Sequence, residues 1–356
     1  MRKKTRQIHV GAVAIGGDAP VCVQSMTNTD TRDVDATVSQ IEALQRAGCQ
    51  IVRLSVYDRA CAQALKQIKR RVSVPLVADI HFDHRLALLS LSAGVDKLRI
   101  NPGNIGSAQK VKEVADAARA QGVPIRIGVN GGSLEKELLE KYGGPTPQAM
   151  VESALRHVHM LEDCAFSDIA ISVKHSSVTK TVEAYRLLSE QVDYPLHLGV
   201  TETGTVRAGI VKSAVGIGSL LLLGIGDTLR VSLSGDPVRE VVAGYDILRA
   251  AGLYDTGVDI IACPTCGRCT VDVEQIALQL EQRVAHIQTP LKAAVMGCVV
   301  NGPGEAREAD IGLAGAKGDF LIFQKGEQVA RMPQQQALDY MVSALQQMDE
   351  IHMQQG

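Results

Sequence analysis

Between residues 21 and 250 the chain repeats one rhythm eight times, a short β-rich run followed by a longer helical stretch. Parallel strands need crossover connections and helices supply them, so the alternation predicts an α/β fold with a parallel sheet. Strands are predicted at 21–26, 51–56, 75–80, 97–100, 124–129, 168–174, 195–200 and 228–234. Helical patterns separate them, several closed by a glycine such as Gly48, Gly94 or Gly122. Eight pairs is the count of a closed (β/α)8 barrel of the TIM type, which takes about 250 residues. An open doubly wound sheet is the alternative, but no G-x-G-x-x-G follows the first strand. The rhythm stops at a glycine-bounded linker, 252–257, which divides a barrel (1–256) from a smaller α+β unit (257–356). In the latter we expect strands at 259–262 and 292–299, a helix at 271–287, short strands within 309–323 and a last helix from 333.

Barrel enzymes place their chemistry at the C-terminal ends of the strands. Read there, the chain offers Gln24, Arg53 with Ser55, Asp79 with His81, Arg99 with Asn101, Arg126 with Asn130, Lys174, His197, and Arg230 with Ser232. Barrel interiors are normally aliphatic, and buried cations are costly without anionic partners. Any one of Arg53, Arg99, Arg126, Lys174 and Arg230 could pair with a protein carboxylate or face outward. All five at one end of successive strands point instead to a small ligand carrying a diphosphate or two phosphates, gripped by bidentate guanidiniums. Asn101, Asn130, Ser232 and the glycine-rich 101–106 add hydrogen-bond donors. Glu202, just past a strand end, is the acid–base candidate, with a helix-capping carboxylate as its plainer reading. Asp79 and His81 are secondary candidates.

The smaller unit opens on Cys263-Pro-Thr-Cys266-Gly-Arg-Cys269 and later carries Gly297-Cys298-Val-Val-Asn-Gly-Pro-Gly-Glu305. Thiols at C-x2-C spacing suit zinc or an iron–sulfur cluster, and no suitably spaced His pair favours zinc. Spacing alone nominates all four thiols, Cys263, Cys266, Cys269 and Cys298. Cys22, Cys49, Cys61 and Cys164 sit singly within barrel elements and read as core residues. A formal net charge of −2 gives no reason to expect nucleic acid or an anionic membrane, and the absence of Trp argues against base-stacking. The basic N-terminus has no apolar run behind it, and the longest uncharged apolar run, 214–226, falls short of the roughly 20 residues of a membrane span. A cytoplasmic protein without disulfides is expected.

Several of these stretches resemble the family of bacterial 4-hydroxy-3-methylbut-2-enyl diphosphate synthases, iron–sulfur enzymes of the non-mevalonate isoprenoid pathway. The resemblance is carried by Val23-Gln-Ser-Met-Thr, Leu98-Arg-Ile-Asn-Pro-Gly-Asn-Ile-Gly106, Ile127-Gly-Val-Asn-Gly-Gly-Ser133, Leu196-His-Leu-Gly-Val-Thr-Glu202, residues 224–237 and both cysteine segments. It implies a barrel that binds 2-C-methyl-D-erythritol 2,4-cyclodiphosphate and a second domain similar to the cluster domains of sulfite and nitrite reductases. It further implies one [4Fe-4S] cluster held by Cys263, Cys266, Cys298 and Glu305, with reduced flavodoxin or ferredoxin as donor. In the family, a head-to-tail homodimer lets one chain's cluster domain cap its partner's barrel. Cys269 departs from the family's ligand pattern, which leaves open an alternative ligand or a redox-sensitive spare thiol. Two other readings stand beside this one: a phosphate-binding barrel of the pterin or methyl-transfer kind with a cluster that only conducts electrons, and a non-catalytic, zinc-stapled binding protein.

Overall fold

The computed structural model describes residues 2–300 and 302–355. The chain separates into two compact units, Met1–Tyr254 and Asp255–Gly356.

In the first unit, eight short parallel strands form one sheet: β3 (Cys22–Met26), β4 (Ile51–Ser55), β5 (Leu76–Asp79), β6 (Lys97–Ile100), β7 (Ile125–Asn130), β8 (Ile169–Lys174), β9 (His197–Leu198) and β10 (Thr228–Leu229). Their order is β8-β7-β6-β5-β4-β3-β10-β9, and a parallel bridge between Ile171 and Leu196 closes the ring. All eight lie where the hydrophobic rhythm placed them. Their outward side chains meet the surrounding helices in one continuous apolar core that includes Val23, Leu54, Ala78, Leu98, Ile127 and Val173.

The N-terminal end of the ring is covered by a hairpin that the sequence reading did not foresee, β1 (Ile8–Val10) and β2 (Val13–Ile15). Ile8, Val10 and Ile15 are buried against Cys22, Ile51, Val77 and Ala170, the lowest inward-facing residues of their strands. Apolar packing thus stoppers one end and leaves the polar end for chemistry. Thr5 fastens the segment further by donating to Asp227 Oδ1 at 2.9 Å.

The second unit is a five-stranded sheet in sequence order, β11 (Val258–Ala262), β12 (Leu291–Met296), β13 (Ile311–Ala316), β14 (Asp319–Gln324) and β15 (Glu327–Pro333). The first three strands run parallel and the last three antiparallel. Helices Val273–Val284 and Gln334–Gln355 bury Ile276, Leu280, Met341 and Leu345 against one face. Helix Gly302–Glu308 inserts Ala306 among Ala294, Met296 and Phe323 on the other. The segment read as a glycine-rich turn is therefore helical from Gly302. A proline in a helix's first turn forfeits no internal hydrogen bond, so Gly-Pro-Gly does not bar a start there. No helix among the described residues is long and apolar enough to cross a membrane.

Candidate functional site

Side chains two apart on a strand share a face, so the inward rows of the barrel follow directly from the register. Those rows gather all five cations named from the sequence. Arg53, Arg99, Arg126, Lys174 and Arg230, together with Asn130, Ser172, Thr201 and Ser232, line one cavity of about 80 Å3. Arg126 is the exception to the expected placement at strand ends. It is the second residue of β7 and fully buried, and its long side chain climbs to the cavity from below.

Two carboxylates sit among these cations. Asp79 accepts from Arg53 Nη2 at 2.8 Å and from Arg99 Nη1 at 3.2 Å. Burial alone would raise the Asp79 carboxyl, but Arg53 and Arg99, with His81 and Arg126 farther off, hold it well below the usual carboxylate range. Glu240, from helix Val238–Ala250, takes Arg230 in a bidentate grip with both contacts at 3.0 Å. It also accepts from Ser25 Oγ at 2.8 Å and the Leu233 amide at 3.0 Å. Each guanidinium is thereby fixed in direction, Arg99 also donating through Nη2 to Gly128 O at 2.9 Å, while Arg53 Nε and Arg99 Nε have no partner among the described residues.

Among the described residues Arg126 and Lys174 have no such partner. Arg126 donates to Ser172 Oγ at 3.1 Å, while its Nε and Nη2 are buried without a hydrogen bond among the described residues. Burial, then crowding by Arg126 and Arg230, pushes the Lys174 amine well below its ordinary value. Five cations facing two carboxylates leave an excess of positive charge in a low-dielectric pocket, the condition that recruits a polyanion.

The other residues named from the sequence are distributed around this pocket. Asn130 and Ser232 line it. His81 stands behind it, with Nε2 3.0 Å from Arg99 Nη1, and burial lowers its pKa. His197 lies deeper, fully buried, with Nδ1 2.8 Å from Thr228 Oγ1 and Nε2 without a partner among the described residues. Asn101 stands at the N-cap position of the short helix Pro102–Ile105 without a side-chain capping bond, and does not line the cavity. Glu202 is exposed on the loop beside Thr201 and has a φ of 53°, a left-handed conformation rare outside glycine. Sequence reasoning missed Glu240, whose position in a helix's first turn looks like any dipole-favouring carboxylate, and Ser172, which lies in mid-strand.

Glycine is required at one point of the wall. A Cβ on Gly199 would lie 2.5 Å from Lys174 Nζ and 2.8 Å from the Arg230 carbonyl oxygen. The amine can swing away, but the backbone oxygen cannot. Gly199→Ala is expected to cost about 1–3 kcal/mol in denaturant unfolding, as overpacking does, and to displace Lys174.

In the second unit, Cys263 follows β11 and its amide donates to Val295 O at 2.9 Å, so it lies beside the end of β12, which runs on to Cys298. Thr270 N donates to Gly297 O at 3.0 Å and ties the two cysteine segments together. Cys266 is exposed in the intervening turn, where Thr265 has a φ of 57°. Glu305 is in the first turn of helix Gly302–Glu308. Cys269 donates its thiol to Val271 O at 3.1 Å and rests on Gly297, whose added Cβ would lie 2.4 Å from that sulfur. Among the described residues no three His, Cys, Asp or Glu side chains converge on a single-ion site. Soft thiols on two segments joined at one end of β11 and β12 fit an iron–sulfur cluster by donor chemistry.

Comparison with known proteins gives a consistent result. Residues 5–245 match the GcpE TIM-barrel domain and residues 259–347 the GcpE protein C-terminal domain. A relative from Caldanaerobacter subterraneus subsp. tengcongensis is 57% identical over 98% of both chains, and one from Geobacter sulfurreducens is 58% identical over 97% of this chain and 98% of its own. Both are named 4-hydroxy-3-methylbut-2-en-1-yl diphosphate synthase (flavodoxin). Among solved structures, a Yersinia pestis dihydropteroate synthase in complex with a sulfonamide drug superposes with a TM-score of 0.51 over 69% of this chain and 99% of its own. At 12% identity it shares the barrel fold alone. With both domains matched and its relatives this close in sequence and length, the chain is an enzyme of the GcpE family.

Proposed function

We propose that this enzyme opens the ring of 2-C-methyl-D-erythritol 2,4-cyclodiphosphate reductively and releases 4-hydroxy-3-methylbut-2-enyl diphosphate. Two electrons and a proton enter, the ring C–O bond breaks and the C3 hydroxyl leaves as water. The observation that carries this reading is the cation pocket, in which Arg126 and Lys174 have no carboxylate partner among the described residues while Arg53, Arg99 and Arg230 are held by theirs. A diphosphate supplies the missing charge, and Asn130 and Ser232 can complete its hydrogen bonds.

Holding the substrate by its phosphates orients the carbon skeleton, which supplies much of the advantage of a bound over a free reaction. Glu202, on the rim beside Thr201, is the residue that handles the proton. Cys263, Cys266, Cys298 and Glu305 would hold a [4Fe-4S] cluster. Such a cluster, when bound, supplies electrons one at a time, and an oxygen ligand such as Glu305 exchanges more readily than a thiolate. The relatives' names support reduced flavodoxin as donor; ferredoxin would serve as its functional equivalent, and the reaction belongs in the cytoplasm. A homodimer in which one chain's cluster domain caps its partner's barrel would bring the two chemistries together.

Anaerobic incubation of iron-replete enzyme with the cyclodiphosphate and a chemically reduced one-electron donor is expected to yield the linear diphosphate. Failure to form it with full iron content would overturn the proposal.

A further inference from the structure

Lys97 is a buried amine for which the proposed chemistry has no task. It opens β6 two residues before Arg99, and so faces the barrel interior below the pocket. It is fully buried, and its Nζ has no hydrogen-bond partner among the described residues. The charged and titratable groups that face it come from several strands: Cys22 on β3, Arg53 on β4, Arg126 on β7 and His197 on β9. None of them supplies a negative charge. Burial pushes the Cys22 thiol up to about 12, so it remains a neutral S–H. Burial and the surrounding cations push His197 well below its ordinary value, so its ring is neutral as well. Asp79, the nearby carboxylate of β5, is occupied by Arg53 and Arg99. Burial, followed by repulsion from Arg126, accordingly lowers the Lys97 amine to about 7.

We infer that Lys97 takes up a proton from solvent when a diphosphate enters the pocket above it, so that the barrel floor becomes charged only as the anion arrives. This rests on the reading of the five-cation pocket as a diphosphate site. Arg126 is the link, because it lines that pocket and is also the strongest charged neighbour of Lys97. A guanidinium does not give up its proton, so in the empty site its charge stands uncompensated against the amine. A diphosphate bound to Arg126 cancels that repulsion and adds attraction of its own, and the step is simply R–NH2 + H+ → R–NH3+. Lys97 is therefore a positioning residue that acts through Arg126 without touching the ligand. It lets the empty barrel avoid one buried charge and strengthens the hold on the anion once bound.

The test is calorimetric titration of the full-length protein with inorganic diphosphate near pH 8, in two buffers of different ionisation enthalpy. Comparing wild type with Lys97→Met cancels the protons that belong to the ligand itself. Wild type is expected to take up roughly 0.5–1 more proton per bound diphosphate than Lys97→Met. Lys97→Arg, charged in both states, should lose the extra uptake while retaining the tighter binding that Met lacks. Equal proton counts in wild type and either variant would overturn the inference and leave the pocket reading intact. No binding of diphosphate by wild type would overturn both.

Discussion

Asp79→Asn is expected to cost the barrel about 3–5 kcal/mol, the usual penalty for removing one partner of a buried ion pair. The carboxylate is 1% exposed and serves two guanidiniums at once, Arg53 and Arg99. An amide keeps the shape and can still accept a hydrogen bond, but it leaves both positive charges buried beside Arg126. The pH dependence has a definite sign. The folded-state pKa of Asp79 is depressed, so its contribution is fully present above the unfolded carboxylate value of about 3.9 and is lost as pH falls through the folded value. Wild type should therefore be far more stable than Asp79→Asn at pH 7, and the gap should close as acid protonates the carboxyl. A ligand test separates electrostatics from packing. Inorganic diphosphate should stabilise Asp79→Asn more than wild type, because the variant has two additional unpaired guanidiniums for it to satisfy. Thermal unfolding across pH, with and without diphosphate, reads all three effects. A loss below 1 kcal/mol at pH 7, or one independent of pH, would contradict the account.

The pairings behind that prediction also mark the limit of what the sequence discloses. The eight barrel strands were legible because each is a short apolar run between helical stretches, several of them closed by a glycine, and because Arg at a strand end is an anomaly against an aliphatic background. The cation partners were only partly legible. Asp79 stood at a strand end and drew notice, yet nothing local distinguishes a ligand-binding carboxylate from one that clamps Arg53 and Arg99. Glu240 lies ten residues from Arg230 on the following helix, and only the fold of the intervening loop brings them together. Lys97 was read as part of a strand, since no pattern of period two reports that an amine lacks a partner. The covering hairpin was missed because its two strands have three residues each and follow a basic stretch. β15 was missed for the opposite reason, being a mostly exposed edge strand that ends in a proline.

The largest functional effect is expected at Glu202, where activity and stability should move in opposite directions. Its φ of 53° is held in place from both sides. Thr201 N donates to His175 O at 3.4 Å, Thr203 Oγ1 donates to the Ser232 carbonyl, and Ser234 Oγ donates to Gly204 O at 3.3 Å. A left-handed non-glycine residue costs on the order of 1 kcal/mol or more, and such strain persists where the surrounding structure enforces it. Glu202→Gly removes that strain and should raise stability by about 1 kcal/mol, whereas Glu202→Gln retains it and should leave stability within about 0.5 kcal/mol. Both variants lose the ionisable group, so both should lower turnover of the cyclodiphosphate by about 10²–10⁴-fold, the usual contribution of general acid–base catalysis. Neither touches the five cations, so inorganic diphosphate should bind each as it binds wild type. Turnover of Glu202→Gln within a few-fold of wild type would remove Glu202 from the proton chemistry. A less stable Glu202→Gly would show that the left-handed backbone costs this loop nothing, and that its form follows from the flanking hydrogen bonds alone.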